Sequence, residues 1–118
     1  MSKELEQFGR IIIKDVRDRT IKDIDKCTSG IYKSERGLKI SKQYSELKNE
    51  KKEFVDYLIT EIIDNTIHNF LEMLEQNDDI EVKFNSKNIV EESDGLAGEL
   101  YTEDGWIQKY TTERYSDK

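Results

Sequence analysis

Glu61, Asp64 or Asn65, His68 and Glu72 recur at three- and four-residue steps in "EIIDNTIHNFLE". On a helix, that spacing gathers the side chains on one face. An imidazole with two carboxylates is a donor set for a divalent metal, so Glu61, Asp64 and His68 are the candidate ligands of a metal-assisted enzyme. The row has neither HExxH nor a paired Glu-x-x-His, so further ligands would have to come from Asp94, Glu99 or Asp104. The plainer alternative is a charged stripe in which His68 makes an ordinary hydrogen bond.

Other reaction chemistries find less support. His68 is the sole histidine and Cys27 the sole cysteine, and Cys27 falls on the apolar side of its helix, where a thiol packs as a small hydrophobe. Ser93-Asp94 is explained better as a helix cap than as a member of a triad. Glu91, Glu92, Asp94, Glu99, Glu103 and Asp104 supply carboxylate pairs, as any acidic segment would. "DGLAG" has no phosphate-loop lysine, and "DGLAGELYTEDG" lacks the alternating acids of a calcium loop.

The elements that must position these groups follow from hydrophobic spacing. Leu5, Phe8, Ile12, Val16, Ile24, Cys27 and Ile31 form a stripe interrupted near Arg19. The stripe predicts a helix from Lys3 to Ser29, capped by Ser2 and stopped by Gly30. Along it, Arg10, Lys14, Arg17, Arg19, Lys22 and Lys26 alternate with Asp15, Asp18, Asp23 and Asp25, the pattern of a solvated, salt-bridged face. A shorter helix spans about Leu38 to Leu47, with Ile40, Tyr44 and Leu47 inward, and Asn49 interrupts before the next. The third helix, Lys51 to Gln76, carries apolar residues over more than half its circumference, which calls for neighbours on two or more sides. It is the expected spine.

Beyond the turn "QNDD", the alternation in "IEVKF", the loop "NSKN" and the run "IVEE" predict a two-stranded hairpin leaning on the helices. The stretch 93–112 holds Trp106, Tyr101, Tyr110 and two Asp-Gly pairs. A hairpin there would have no apolar face, so two short helices are expected, the first capped by Ser93 or Asp94. Thr102 would cap the second, with Glu103 and Asp104 in its first turn, and the rings would close one end of the core. The final "TERYSDK" is expected to fray. The fold class is α+β, mostly α: one domain over 1–118, helical over residues 1–76, with a hairpin and aromatic closing segment over residues 77–118.

Charge narrows the partners. The chain of 118 residues has a net charge of −7, with 12 Lys/Arg against 9 Asp/Glu in residues 1–50 and 7 against 17 in residues 51–118. An acidic body repels phosphate backbones, so no nucleic acid is expected. The longest aliphatic run is Ile11-Ile12-Ile13, so no membrane span is expected either. The single cysteine and the charged N-terminus fit a cytoplasmic protein.

The segments "DNTIHNFLEMLEQNDDIEV" and "SDGLAGELYTEDGWIQKYT" together resemble the pattern of a family of small uncharacterised bacterial cytoplasmic proteins, over residues 64–112. Size, charge and the aromatic closing segment are also similar to immunity proteins that neutralise toxins. The resemblance implies binding of a protein partner and assigns no residue a role. The expected function is a non-enzymatic interaction domain without a cofactor, binding a basic partner through Asp94, Glu99, Tyr101, Glu103, Asp104, Trp106 and Tyr110. The metal-assisted enzyme is the alternative, and a homodimer pairing its long helices is a further expectation.

Overall fold

The computed structural model describes residues 2–115. The Ser2 hydroxyl accepts from the Leu5 N–H at 3.1 Å, and Glu4 and Glu6 sit in the first turn, where the helix dipole favours acids. The helix begins as α1 (Lys3–Ile11), passes through a π-helical segment (Ile12–Asp18) and continues as α2 (Arg19–Ser29). Gly30 ends it with φ at 86°, a left-handed conformation that costs glycine little.

The π segment changes which residues face inward. Its hydrogen bonds close over five residues instead of four, so each turn is wider. Ile13, Arg17 and Asp18 are consequently all buried, while Val16 is exposed. The expected solvated charge ladder therefore fails at Arg17 and Asp18.

Next, α3 (Glu35–Ser45) begins three residues earlier than the spacing predicts, because the Ser34 hydroxyl caps the Gly37 N–H at 3.1 Å. It packs on α2, and Ile40 is exposed instead of inward. Helix α4 (Asn49–Gln76) starts at Asn49, which opens the helix and does not interrupt an earlier one. Its buried residues are Thr60, Asp64, Ile67, Leu71 and Leu74, so the apolar core meets only its C-terminal half.

The hairpin is shorter than the alternation suggests. Strands β1 (Lys83–Phe84) and β2 (Lys87–Asn88) run antiparallel, with Lys83 opposite Asn88 and Phe84 opposite Lys87. Asn85 and Ser86 both take positive φ, 50° and 71°, as a two-residue hairpin turn matched to strand twist requires. Some of the expected loop is thus strand, and "IVEE" is turn. Val82 and Phe84 pack against the core, but Ile80 is exposed.

A 3₁₀ turn (Ala97–Leu100) and α5 (Trp106–Tyr110) close the fold. The two helical pieces are as expected, but neither has its expected side-chain cap. The 3₁₀ turn starts behind Leu96 and α5 behind Gly105, while Thr102 is held at φ 79° in the intervening turn. The first piece is also too short for an α-helix.

The core joins Leu5 and Ile13 to Ile67, Leu71 and Leu74, and seals them with Ile89, Leu96, Leu100, Trp106 and Ile107. Residues 112–115 do not fray, since the Thr112 N–H donates to Asp18 at 2.9 Å and the Arg114 side chain reaches Asp25 and Thr60. The rest of that expectation, 116–118, lies outside the described residues. The result is mostly α with a small antiparallel hairpin. No helix among the described residues is long and apolar enough to cross a membrane.

Candidate functional site

The polar face of α4 does not form a shared ligand set. Asp64 is buried and committed to Arg17, whose Nε–H donates to Oδ1 at 2.6 Å and whose second nitrogen reaches Oδ2 at 3.3 Å. His68 Nε2 pairs with Glu72 at 3.0 Å, and its ring lies 5.8 Å from that of Tyr101. Glu61 is half-buried. No group of three His, Cys, Asp or Glu among the described residues is arranged to hold a metal ion. A carboxylate neutralised by a guanidinium is a poor cation ligand, so Glu61, Asp64 and His68 do not act together.

Arg17 is instead the centre of a buried clamp. Besides Asp64, it donates to the Thr111 hydroxyl at 2.9 Å, the Arg114 carbonyl at 2.9 Å and Asp18 at 3.4 Å. Asp18 accepts from the Thr111 hydroxyl at 2.6 Å and from the Thr112 N–H. The clamp ties the π segment, α4 and the C-terminal tail together. A buried guanidinium needs this many acceptors to offset its desolvation.

The aromatic residues of the closing segment mostly face inward. Trp106 is 0% exposed, stands edge-on to Phe8 with ring centroids 6.1 Å apart, and donates from its indole N–H to Glu6 at 3.4 Å. The Tyr110 hydroxyl donates to Glu6 at 2.6 Å, and Lys109 pairs with the same carboxylate. Burial pushes the Glu6 carboxyl up, but the bonds from Lys109, Tyr110 and Trp106 outweigh it and hold it below the usual range. Burial, with the charges of Asp64 and Glu61 nearby, raises the half-buried Tyr101 hydroxyl.

Of the expected binding residues, only Asp94, Glu103 and Asp104 are exposed. Glu99 is half-buried and accepts from the Ser93 hydroxyl at 2.7 Å. Trp106 cannot present its ring to a partner, and Tyr110 is occupied by Glu6. The expected surface is therefore an acidic edge over an inward-facing aromatic lid.

No family model, curated protein or solved structure matches this chain.

One feature open to a partner is apolar. A groove of about 380 Å³ runs between the N-terminal helix and α4, with Val16, Thr20 and Ile24 on one wall and Ile59, Ile63 and Ile67 on the other. Ile62, which also lines it, is 56% exposed, and elsewhere on α4 Phe54, Leu58 and Phe70 stand 58%, 43% and 47% exposed. Helix α4 does meet more than one neighbour, the N-terminal helix and the 3₁₀ turn, but they leave part of it uncovered. Its wide apolar arc is covered on the core side and open on the other.

That open face is half visible in the sequence. The width of the arc signals more apolar surface than one neighbour could cover, but spacing cannot tell an intramolecular neighbour from a missing one.

Proposed function

We propose that this chain is a non-enzymatic protein-interaction domain whose docking face is the apolar groove and the exposed apolar residues along α4. The exposure of Phe54, Leu58, Ile62 and Phe70 on one helix carries this reading. Isolated apolar side chains on a surface need no explanation, but several on one helix that also walls an apolar groove mark a binding surface. Fully burying an exposed Leu, Ile or Phe side chain contributes about 1.5–3 kcal/mol, and these side chains, already half-covered, would each contribute part of that toward offsetting the cost of association. The lone unpaired Cys27 supports a cytoplasmic setting.

The test is a photo-cross-linking residue in place of Leu58, in cells, with the same residue in place of the exposed Gln108 as control. A discrete protein adduct at position 58 and none at 108 is the expected result. Equal labelling at both positions overturns the reading.

A second reading keeps the acidic edge as an immunity-type contact with a basic protein. The exposure of Asp94, Glu103 and Asp104 favours it. Charge of one sign steers a cationic partner, and neutralising the three residues tests whether such steering occurs.

A further inference from the structure

The N-terminal helix has two inward faces available to it, and the structure uses the one that residue spacing disfavours. At about 100° per residue, eleven residues of an unbroken α-helix complete three turns to within about 20°. Val16 would then share the face of Leu5, with Phe8, Ile12, Thr20 and Cys27 within about 60° of it. Arg17 and Ile21 would lie about 120° and 160° away. The π segment Ile12–Asp18 reverses this order. Its wider turns bury Leu5, Ile13, Arg17 and Ile21 and leave Val16 45% exposed.

Taken alone, the π register is the costlier of the two. It buries a guanidinium and a carboxylate where the α register would bury a valine, and π turns are rare outside single-turn bulges. What holds it comes from elsewhere in the chain. Apart from their mutual contact at 3.4 Å, the side-chain hydrogen bonds of Arg17 and Asp18 among the described residues run to Asp64 of α4 or to residues 111–114. Thr111 is central, since its hydroxyl accepts from Arg17 at 2.9 Å and donates to Asp18 at 2.6 Å. The tail also has a hold that does not depend on Thr111, because Arg114 bonds Asp25 and Thr60. Contacts made in only one of two registers select that register, and the linkage is reciprocal.

We propose that the N-terminal helix is a two-state element, with a π register that buries Arg17 and Asp18 and an α register that buries Val16, and that the docked C-terminal tail selects the first. Val16, Thr20 and Ile24 wall the groove against α4, and no residue of the tail lines it. Re-winding to α turns Val16 out of that wall, so release of the tail reshapes a groove that the tail itself does not touch. This holds whatever the groove binds, and the proposal therefore stands apart from the interaction reading above.

Thiol labelling of the full chain tests it, with Cys27→Ser throughout and one reporter at a time. With Thr111 intact, Val16→Cys should label fast, and Ile13→Cys and Ile21→Cys slowly. Thr111→Val removes both bonds of the hydroxyl to charged groups and should speed labelling at position 21 by about tenfold or more. Position 13 stays within about 80° of Leu5 in an α-helix, so it should remain protected in either register. Thr111→Ser keeps the hydroxyl and should leave position 21 slow. Adding Val16→Lys to Thr111→Val should return position 21 to the slow rate, since a lysine is tolerated where position 16 is exposed and costly where it is buried. Fast labelling at position 21 with Thr111 intact overturns the proposal, as does no change with Thr111→Val. A parallel rise at positions 13 and 21, the mark of unfolding, or a fast rate that survives Val16→Lys also overturns it.

Discussion

Arg17 and Asp64 meet 47 residues apart in sequence, with the Nε–H to Oδ1 distance at 2.6 Å and the guanidinium entirely buried. The pair locks the π segment to α4, and Thr111, Thr112 and the Arg114 carbonyl complete the enclosure from the C-terminal tail. Removing one member strands the other charge in a site with little water. Arg17→Met is therefore expected to cost about 3–5 kcal/mol, a large share of a small domain's total stability. Asp64→Leu added to it should recover some of the loss, because one orphaned carboxylate disappears while Asp18 keeps its bonds to Thr111 and Thr112. Urea denaturation of the single and double variants measures the recovery, and a strictly additive double variant would contradict the clamp.

Gly9 in α1 gives a sharper test of packing. Glycine inside a helix normally loses about 1 kcal/mol relative to alanine. Here a Cβ on Gly9 would lie 2.2 Å from the Trp106 ring, so the usual gain is reversed. Gly9→Ala should cost about 1–3 kcal/mol by overpacking and lower the melting temperature by roughly 4 °C per kcal/mol. The indole emission of Trp106 should shift red in the same variant as the ring is pushed toward water. A more stable Gly9→Ala protein would show that the ring does not rest on α1.

These two contacts show what spacing can and cannot reveal. Ser2, Gly30 and the apolar positions of α1 and α4 act through local geometry, and caps, stops and periodicity carry that geometry openly. Arg17 and Asp18 escape the charge pattern because a π turn moves the inward face without changing any residue type. The clamp's bonds to the tail and the Trp106–Gly9 contact join positions about 100 residues apart, and nothing in local pattern links them. In contrast, the acidic edge at Asp94, Glu103 and Asp104 is legible as charge, while the inward turn of Trp106 depends on a partner helix that composition cannot name. The open apolar face of α4 is legible as excess hydrophobicity and only its exposure is not.

Glu6 makes stability depend on pH at both ends of the range. Its carboxyl is held below the usual value, so it stabilises the fold above the ordinary carboxylate range, and that contribution is lost as pH falls through the folded pKa. Lys109 is raised chiefly by its bond to Glu6, and Tyr110 by burial and then by Glu6. Their contribution is fully present below their unfolded pKa values and is lost as pH rises through the folded ones. Glu6→Gln should therefore lower the melting temperature most at about pH 6–8, with the gap from wild type closing toward about pH 3 and again above about pH 11. A gap that stays constant across that range would mean that Glu6 acts by shape and not by charge.

The acidic edge can be separated from the fold because its members carry little of it. Asp94, Glu103 and Asp104 are exposed and make none of the core contacts. Asp94→Asn, Glu103→Gln and Asp104→Asn together should change stability by no more than about 0.5 kcal/mol. If this edge meets a basic partner, the same triple variant should bind a polylysine probe several-fold more weakly at low salt, and the difference should fade as salt screens the field over a Debye length of about 10 Å at 0.1 M. Titration of the two proteins at low and at physiological ionic strength gives the comparison. Equal affinities at low salt would remove the basic-partner reading, and because Ile62 and Leu58 lie on a different surface, they would leave the apolar face of α4 as the docking site.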